Sequence, residues 1–224
     1  MYNERRKVRN GRNARAMQKG SKFGREQQEE IWQSTEVDAL YKFADAGIRV
    51  PTPYGCFGGV LIMELITDAE GFAAPRLNDV TLSQEKAMID HAKVMDYVVR
   101  MLSVGVIHGD LSEFNVLVDA EGPVIIDLPQ AVDAAGNNNA KKMLLRDVNN
   151  MTQYYSQFAP ELAKTRYGEE IWSIFETCEL SPKTILTGRF VESDIDADVD
   201  GVLHEINAAR EEELDRLDRI SDVD

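Results

Sequence analysis

The stretch that most constrains this chain is Val106 to Asp127, VIHGDLSEFNVLVDAEGPVIID. Two β-branched runs, Val116–Val118 and Val124–Ile126, predict strands joined by a turn through Asp119, Glu121 and Gly122. A polar loop carrying His108, Asp110 and Asn115 precedes the first strand, and the second strand ends on Asp127. A hairpin so placed sets three oxygen-bearing side chains, Asp110, Asn115 and Asp127, near one end of a rigid support. Hard metal ions and phosphoryl transfer need such groups. Asp and Asn also furnish ordinary turns, so no single one of the three carries the argument; their joint spacing does.

The chain is long enough, at 224 residues, to bury a substantial core. No run of about 18 apolar residues suggests a membrane span, and the basic N-terminus lacks the apolar segment of a secretory signal. Cys56 and Cys178 form no C-x-x-C pair, which points away from a disulfide framework or a zinc site. A soluble, reducing, cytoplasmic setting is the expectation. Charge is unevenly spread: Met1–Arg25 holds nine basic residues against the single acid Glu4, a net +8, leaving −22 on the rest of a chain whose total is −14. A basic arm on an acidic body suits contact with RNA, a phosphate-bearing ligand or the body itself, and equally a solvated, disordered arm.

Along the chain, residues 1–24 read as this basic flexible arm. A helix is expected from Arg25 to Ala46, with Ile31, Val37, Leu40, Tyr41 and Phe43 on its apolar side and Glu36 mid-helix, stopped by Gly47. Tyr54–Ile66 predicts a hairpin turning at Gly58-Gly59, its second strand, Val60–Ile66, so apolar that burial on both faces is expected. Ser83 is the expected N-cap of a long amphipathic helix, with Lys86 at the capping-box position and Ala87, Ala92, Met95, Val98, Val99 and Leu102 on its apolar face until Gly105. A further helix is expected over Lys141–Phe158, and an acidic segment over 191–224. Asp196, Asp198, Asp200 and Gly201 mimic the opening of a calcium loop, but the bidentate acid it requires falls on Asn207, so the stretch reads as an acidic helix lead-in. His91 and His204 lack partners at metal-ligand spacing and read as surface or packing residues.

The string H-x-D-L-x-x-x-N, a hairpin, and an apolar strand ending in Asp form the catalytic signature of protein-kinase-like chains. Within that group, HGDLSEFN and IIDLPQ resemble the RIO family of atypical serine/threonine protein kinases. WQSTEVDAL, AGIRVPTPYG, LIMELI and AAPRLNDV extend the resemblance from the arm to about Phe158, and KVRNGRNARAM with KGSKFGRE looks especially like bacterial RIO-type proteins. LSEFN and D-L-P-Q stand where ordinary kinases show a catalytic-loop lysine and D-F-G.

The resemblance implies an α+β, kinase-like two-lobe fold: a truncated N-terminal lobe over 25–66, a hinge near Glu64, a mainly helical catalytic lobe over 67–190, and the acidic tail. It implies ATP with Mg²⁺ (or Mn²⁺), and transfer of the γ-phosphate to a protein hydroxyl or to the chain's own Asp127. Asp110 would orient or accept the hydroxyl proton, Asn115 and Asp127 would hold the metal, and Met63, Glu64, Ile66 and Pro75 would line the nucleotide site. Glu36, His108, Ser112 and Asp147 would support them, Asp147 as an anchor behind the catalytic loop. Ribosomal RNA or a ribosome-associated partner is the implied contact of the basic arm, and no membrane partner is expected. The pattern departs from the family in lacking a glycine-rich loop and the lysine that would pair with Glu36; that lysine would lie upstream of Met1. The chain therefore reads as a truncated, mis-started or naturally short form, with weakened phosphate gripping and an exposed sheet edge. Two other functions fit HGD or the missing lysine: a small-molecule phosphotransferase of the aminoglycoside or choline-kinase type, and an inactive binding or scaffold form.

Overall fold

A computed structural model of the chain describes residues 36–57 and 60–191. The basic arm, residues 25–35 of the expected first helix, the expected turn at Gly58-Gly59 and the tail from residue 192, with its calcium-like stretch and His204, lie outside the described residues.

Helix α1 occupies 36–45 and ends where the sequence demands. Gly47 takes φ 76°, a left-handed conformation that other residues adopt at a cost. The Gly47 N–H donates to the Ala44 carbonyl and the Ile48 N–H to the Phe43 carbonyl, each at 2.9 Å. This paired return is the Schellman arrangement, which satisfies the last carbonyls of a helix. Ile48 and Phe43 are both buried, supplying the apolar contact that accompanies the motif.

The chain next forms the antiparallel hairpin β1 (Pro53–Phe57) and β2 (Val60–Met63), with Phe57 opposite Val60. Burial of the second strand on both faces does not hold. Val60 is 62% and Ile62 47% exposed, whereas Leu61 and Met63 pack on the core. The sheet has two strands among the described residues, so its inward face alone is covered. The strand also stops at Met63: the Glu64 N–H donates to the Thr52 carbonyl at 2.8 Å while the Glu64 carboxylate accepts from the Thr52 N–H and Oγ1.

Helix α2 (Gln84–Ser103) starts at Ser83, whose Oγ accepts the Lys86 N–H at 3.2 Å. Val94, Met95, Val98, Val99 and Leu102 bury its inner stripe. Ala92 was expected on that stripe but is exposed, because it lies three residues after the exposed Ile89 and four before Asp96 on the outer face. Two short strands, β3 (Val106–Ile107) and β6 (Val132–Asp133), pair with each other. Between them, β4 (Val116–Asp119) and β5 (Gly122–Ile125) form the expected hairpin, Val116 opposite Ile125 and Asp119 opposite Gly122. Helices α3 (Ala140–Ser156) and α4 (Tyr167–Glu176) follow, and the core joins residues from Ala39 to Trp172 in one cluster. The architecture is a kinase-like mixture of helices and antiparallel hairpins, α+β as expected. No helix among the described residues is long and apolar enough to cross a membrane.

His91 is a packing residue. It is buried on α2, its Nε2 lies 3.0 Å from Thr152 Oγ1 on α3, and its ring meets Tyr155 and Tyr167. Burial pushes its pKa down to about 4. An unfolded chain takes up this proton near 6.5, so His91 contributes stability above that pH which is lost as pH falls toward 4. Relative to the parent, a His91→Phe variant should resist acidification from pH 7 to 4 by about 3 kcal/mol in denaturant titrations. A His91 imidazole that titrates near 6.5 by NMR would contradict this packing.

Candidate active site

The loop that leaves β3 is fixed at Gly109. Its φ is 83°, and an added Cβ would lie 2.7 Å from both the Gln130 carbonyl oxygen and Met143 Cε, so no side chain fits. The Gly109 N–H donates to Asp147 Oδ2 at 2.7 Å, and its carbonyl accepts from the Arg146 guanidinium. Two consecutive residues of α3 thus grip both backbone polar groups of one residue, one on each of the peptide links that flank its Cα. Burial raises the Asp147 pKa to about 6, opposed by the Gly109 N–H, by Arg146 and by the Leu111 N–H.

The neighbouring residues are tied just as closely. His108 is buried, and its Nε2 donates to the Ile126 carbonyl at 3.0 Å, so Nδ1 is left to accept the Asp110 N–H at 3.3 Å. Burial lowers the His108 pKa, consistent with a neutral ring carrying its proton on Nε2. Asn115 donates through Nδ2 to the Asp110 carbonyl at 2.9 Å, and the Asn115 carbonyl accepts the Ile126 N–H at 3.0 Å. Asp110, Asn115 and the strand end before Asp127 are therefore joined by hydrogen bonds at one end of the β4–β5 hairpin. The Asn115 side-chain oxygen has no partner among the described residues. Asp127 is exposed and takes φ 65°, a backbone conformation that a non-glycine residue holds only when its surroundings impose it. Leu128, immediately after it, is fully buried.

The far end of the hairpin is anchored separately. Asp119 Oδ1 accepts the Glu121 and Gly122 N–H groups, forming the turn, while Arg49 grips both Asp119 oxygens at 2.8 and 2.5 Å. The Arg49 hydrogen bond is the main influence holding Asp119 below the usual carboxylate range. The Arg49 carbonyl also accepts the Ile125 N–H at 2.8 Å. The segment that ends α1 is thereby fastened to β5.

Glu36 is half-buried, and its pKa is raised first by burial and then by the charge of Asp127. It has no ion-pair partner among the described residues. Met63 is half-buried against the core. The Glu64 N–H is committed to Thr52, and the Ile66 carbonyl accepts the Ala74 N–H at 2.9 Å. That leaves the Glu64 carbonyl and the Ile66 N–H without an intrachain partner among the described residues. Pro75 lies beside β4, its carbonyl accepting the Val118 N–H at 2.9 Å. Ser112 makes no side-chain cap; its carbonyl accepts the Asn115 N–H. Among the described residues no three His, Cys, Asp or Glu side chains gather as a metal site.

Sequence reasoning missed Arg146, Arg49 and Gln130. Arg146 adjoins Asp147 and had that one signal; Arg49 and Gln130 act through pairings 70 and 20 residues away that no local pattern announces.

A model of the RIO domain matches residues 1–167. The chain belongs to the RIO family. This RIO chain is 35% identical over 124 residues to the RIO-type serine/threonine-protein kinase Rio1 of Haloferax volcanii, an overlap of 55% of the chain and 41% of that protein. It is 31% identical over 141 residues to its counterpart from Thermoplasma acidophilum, covering 63% and 72% of the two chains. With the human serine/threonine-protein kinase RIO1 it shares 31% identity over 136 residues, 24% of that protein. The RIO chain thus spans about two fifths of the first relative and about a quarter of the human one.

The Asp147 anchor makes a signed prediction. Its folded pKa, near 6, exceeds the 3.8 of an unperturbed carboxyl, so its ionisation costs folding stability as pH rises from 4 to 6. Asp147→Asn places an NH₂ among donors and should destabilise the fold by about 1–3 kcal/mol. The deficit relative to the parent should be larger at pH 4 than at pH 7 in chemical denaturation. A deficit independent of pH would contradict the assignment.

Proposed function

We propose that this RIO chain is an ATP-dependent serine/threonine protein kinase or ATPase that moves the γ-phosphate to a protein hydroxyl or to its own Asp127. The observation that most supports the reading is the hydrogen-bonded set of Asp110, Asn115 and the strand end preceding Asp127, at one end of a doubly anchored hairpin.

In this reading Asp110 orients the attacking hydroxyl and receives its proton as the new O–P bond forms and the bond from the γ-phosphorus to the bridging oxygen breaks. The electron pair of the broken bond leaves on ADP. Asn115 and Asp127 would hold a divalent ion, Mg²⁺ or Mn²⁺. The donor set suits such an ion: one amide oxygen without a partner among the described residues and one exposed carboxylate whose charge also raises the pKa of Glu36. When bound, the ion neutralises phosphate charge. The Glu64 carbonyl and the Ile66 N–H would meet the adenine edge between Met63 and Pro75, with α1 and β1–β2 serving in the nucleotide lobe. His108, Ser112 and Asp147 hold the loop, and Glu36 lies within the electrostatic influence of Asp127.

Incubation with Mg²⁺ and γ-labelled ATP tests the reading. Labelled protein or released phosphate should appear with the parent chain and fall at least about 100-fold in Asp110→Ala. Asp127→Asn should lose activity together with the Mg²⁺-dependent rise in melting temperature seen with ATP. No label and no phosphate release from the parent would overturn the proposal.

A further inference from the structure

We infer that Gln130 is a positioning residue for Asp110, an inference that rests on the kinase reading above. The Gln130 Nε2 donates to Asp110 Oδ2 at 2.7 Å. With the Asp110 N–H donated to His108 Nδ1 and its carbonyl accepting from Asn115, three of the four polar groups of Asp110 are held. Oδ1 is left, among the described residues, as the acceptor open to a substrate hydroxyl. The side-chain amide thus decides which oxygen works and where it points.

Gln130 is itself well placed to do this. Leu128-Pro129-Gln130-Ala131 forms a turn closed by the Ala131 N–H donating to the Leu128 carbonyl at 2.9 Å, with proline at the position whose φ it presets. Leu128 and Ala131, the two ends of that turn, are buried. The Gln130 carbonyl lies where a Gly109 side chain would begin, so the turn and the catalytic loop are in contact through backbone as well as side chain. The turn begins one residue after Asp127. One short segment therefore carries both the strand-end carboxylate and the amide that orients Asp110. The interaction also gives the D-L-P-Q string a physical reason. A shorter Asn at this place falls one methylene short of Asp110, and an apolar residue leaves Oδ2 without its donor.

The test compares the parent chain with Gln130→Met, Gln130→Glu and Asp110→Ala under saturating ATP and Mg²⁺. Gln130→Met keeps the length and removes the donor. It should lower kcat about 10- to 100-fold while leaving KM for ATP and the melting temperature close to those of the parent. Gln130→Glu sets a second carboxyl against Asp110, and the pair repels when both are ionised. Its activity relative to the parent should recover as pH falls, because a protonated carboxyl donates as the amide does. A merely structural role would not produce that pH-dependent rescue. Independently, one Gln130 side-chain amide proton should exchange slowly in the parent and lose protection in Asp110→Ala. An active parent whose Gln130→Met variant keeps its kcat would overturn the role of Gln130 and leave the kinase reading standing. So would an unprotected Gln130 amide. A parent chain without ATP turnover would overturn both together.

Discussion

Gly109 is the constraint on which the site depends. Its left-handed backbone lets the chain pass against Gln130 and Met143 where a methyl group would collide, and its two polar groups are taken by Asp147 and Arg146. With the peptide links on both sides of its Cα held, Gly109 has little freedom to rotate, so the direction of the chain entering Asp110 is set by α3. The arrangement has an electrostatic cost: Asp147 is buried, and its elevated pKa reports that the surrounding N–H groups offset its desolvation incompletely. Buried polar groups of this kind rigidify a loop when every partner is present.

From this point the organisation spreads through the hairpin. Asn115 and His108 link the loop to the end of β5, one through its amide to Asp110 and its carbonyl to Ile126, the other through Nε2 to the Ile126 carbonyl. At the opposite end, Arg49 fastens the Asp119 turn to the segment that follows α1. The two ends differ in chemistry. Asp119 has its cation, whereas Asp127 and Glu36, whose pKa the Asp127 charge helps to raise, have no ion-pair partner among the described residues. An excess of negative charge at the end that also carries Asn115 is the environment a divalent ion and a polyphosphate would complete in the proposed function.

Much of this was legible in the sequence because the decisive signals were local. The β-branched runs flanking an Asp-Gly-containing turn marked the hairpin, Ser83 marked the start of α2, and Gly47 marked the end of α1. The motif in HGDLSEFN and IIDLPQ pointed to the family. What failed failed for tertiary reasons. The apolar run Val60–Ile66 looked fully buried, yet burial depends on what covers the second face, and here Val60 and Ile62 face outward. Arg49 with Asp119, and Gln130 with Asp110, are contacts between distant or differently folded segments, and residue type alone does not announce them.

In the proposed function one end of the β4–β5 hairpin, and not the other, receives the metal and the phosphates. Paramagnetic broadening of backbone amides by Mn²⁺ with a non-hydrolysable ATP analogue reads this directly, since the effect falls steeply with distance. Broadening should centre on Asn115, Val116, Ile126, Asp127 and Leu128 and weaken toward the Asp119–Gly122 turn. Broadening centred on Asp119 and Glu121, or spread evenly over the acidic surface, would contradict it.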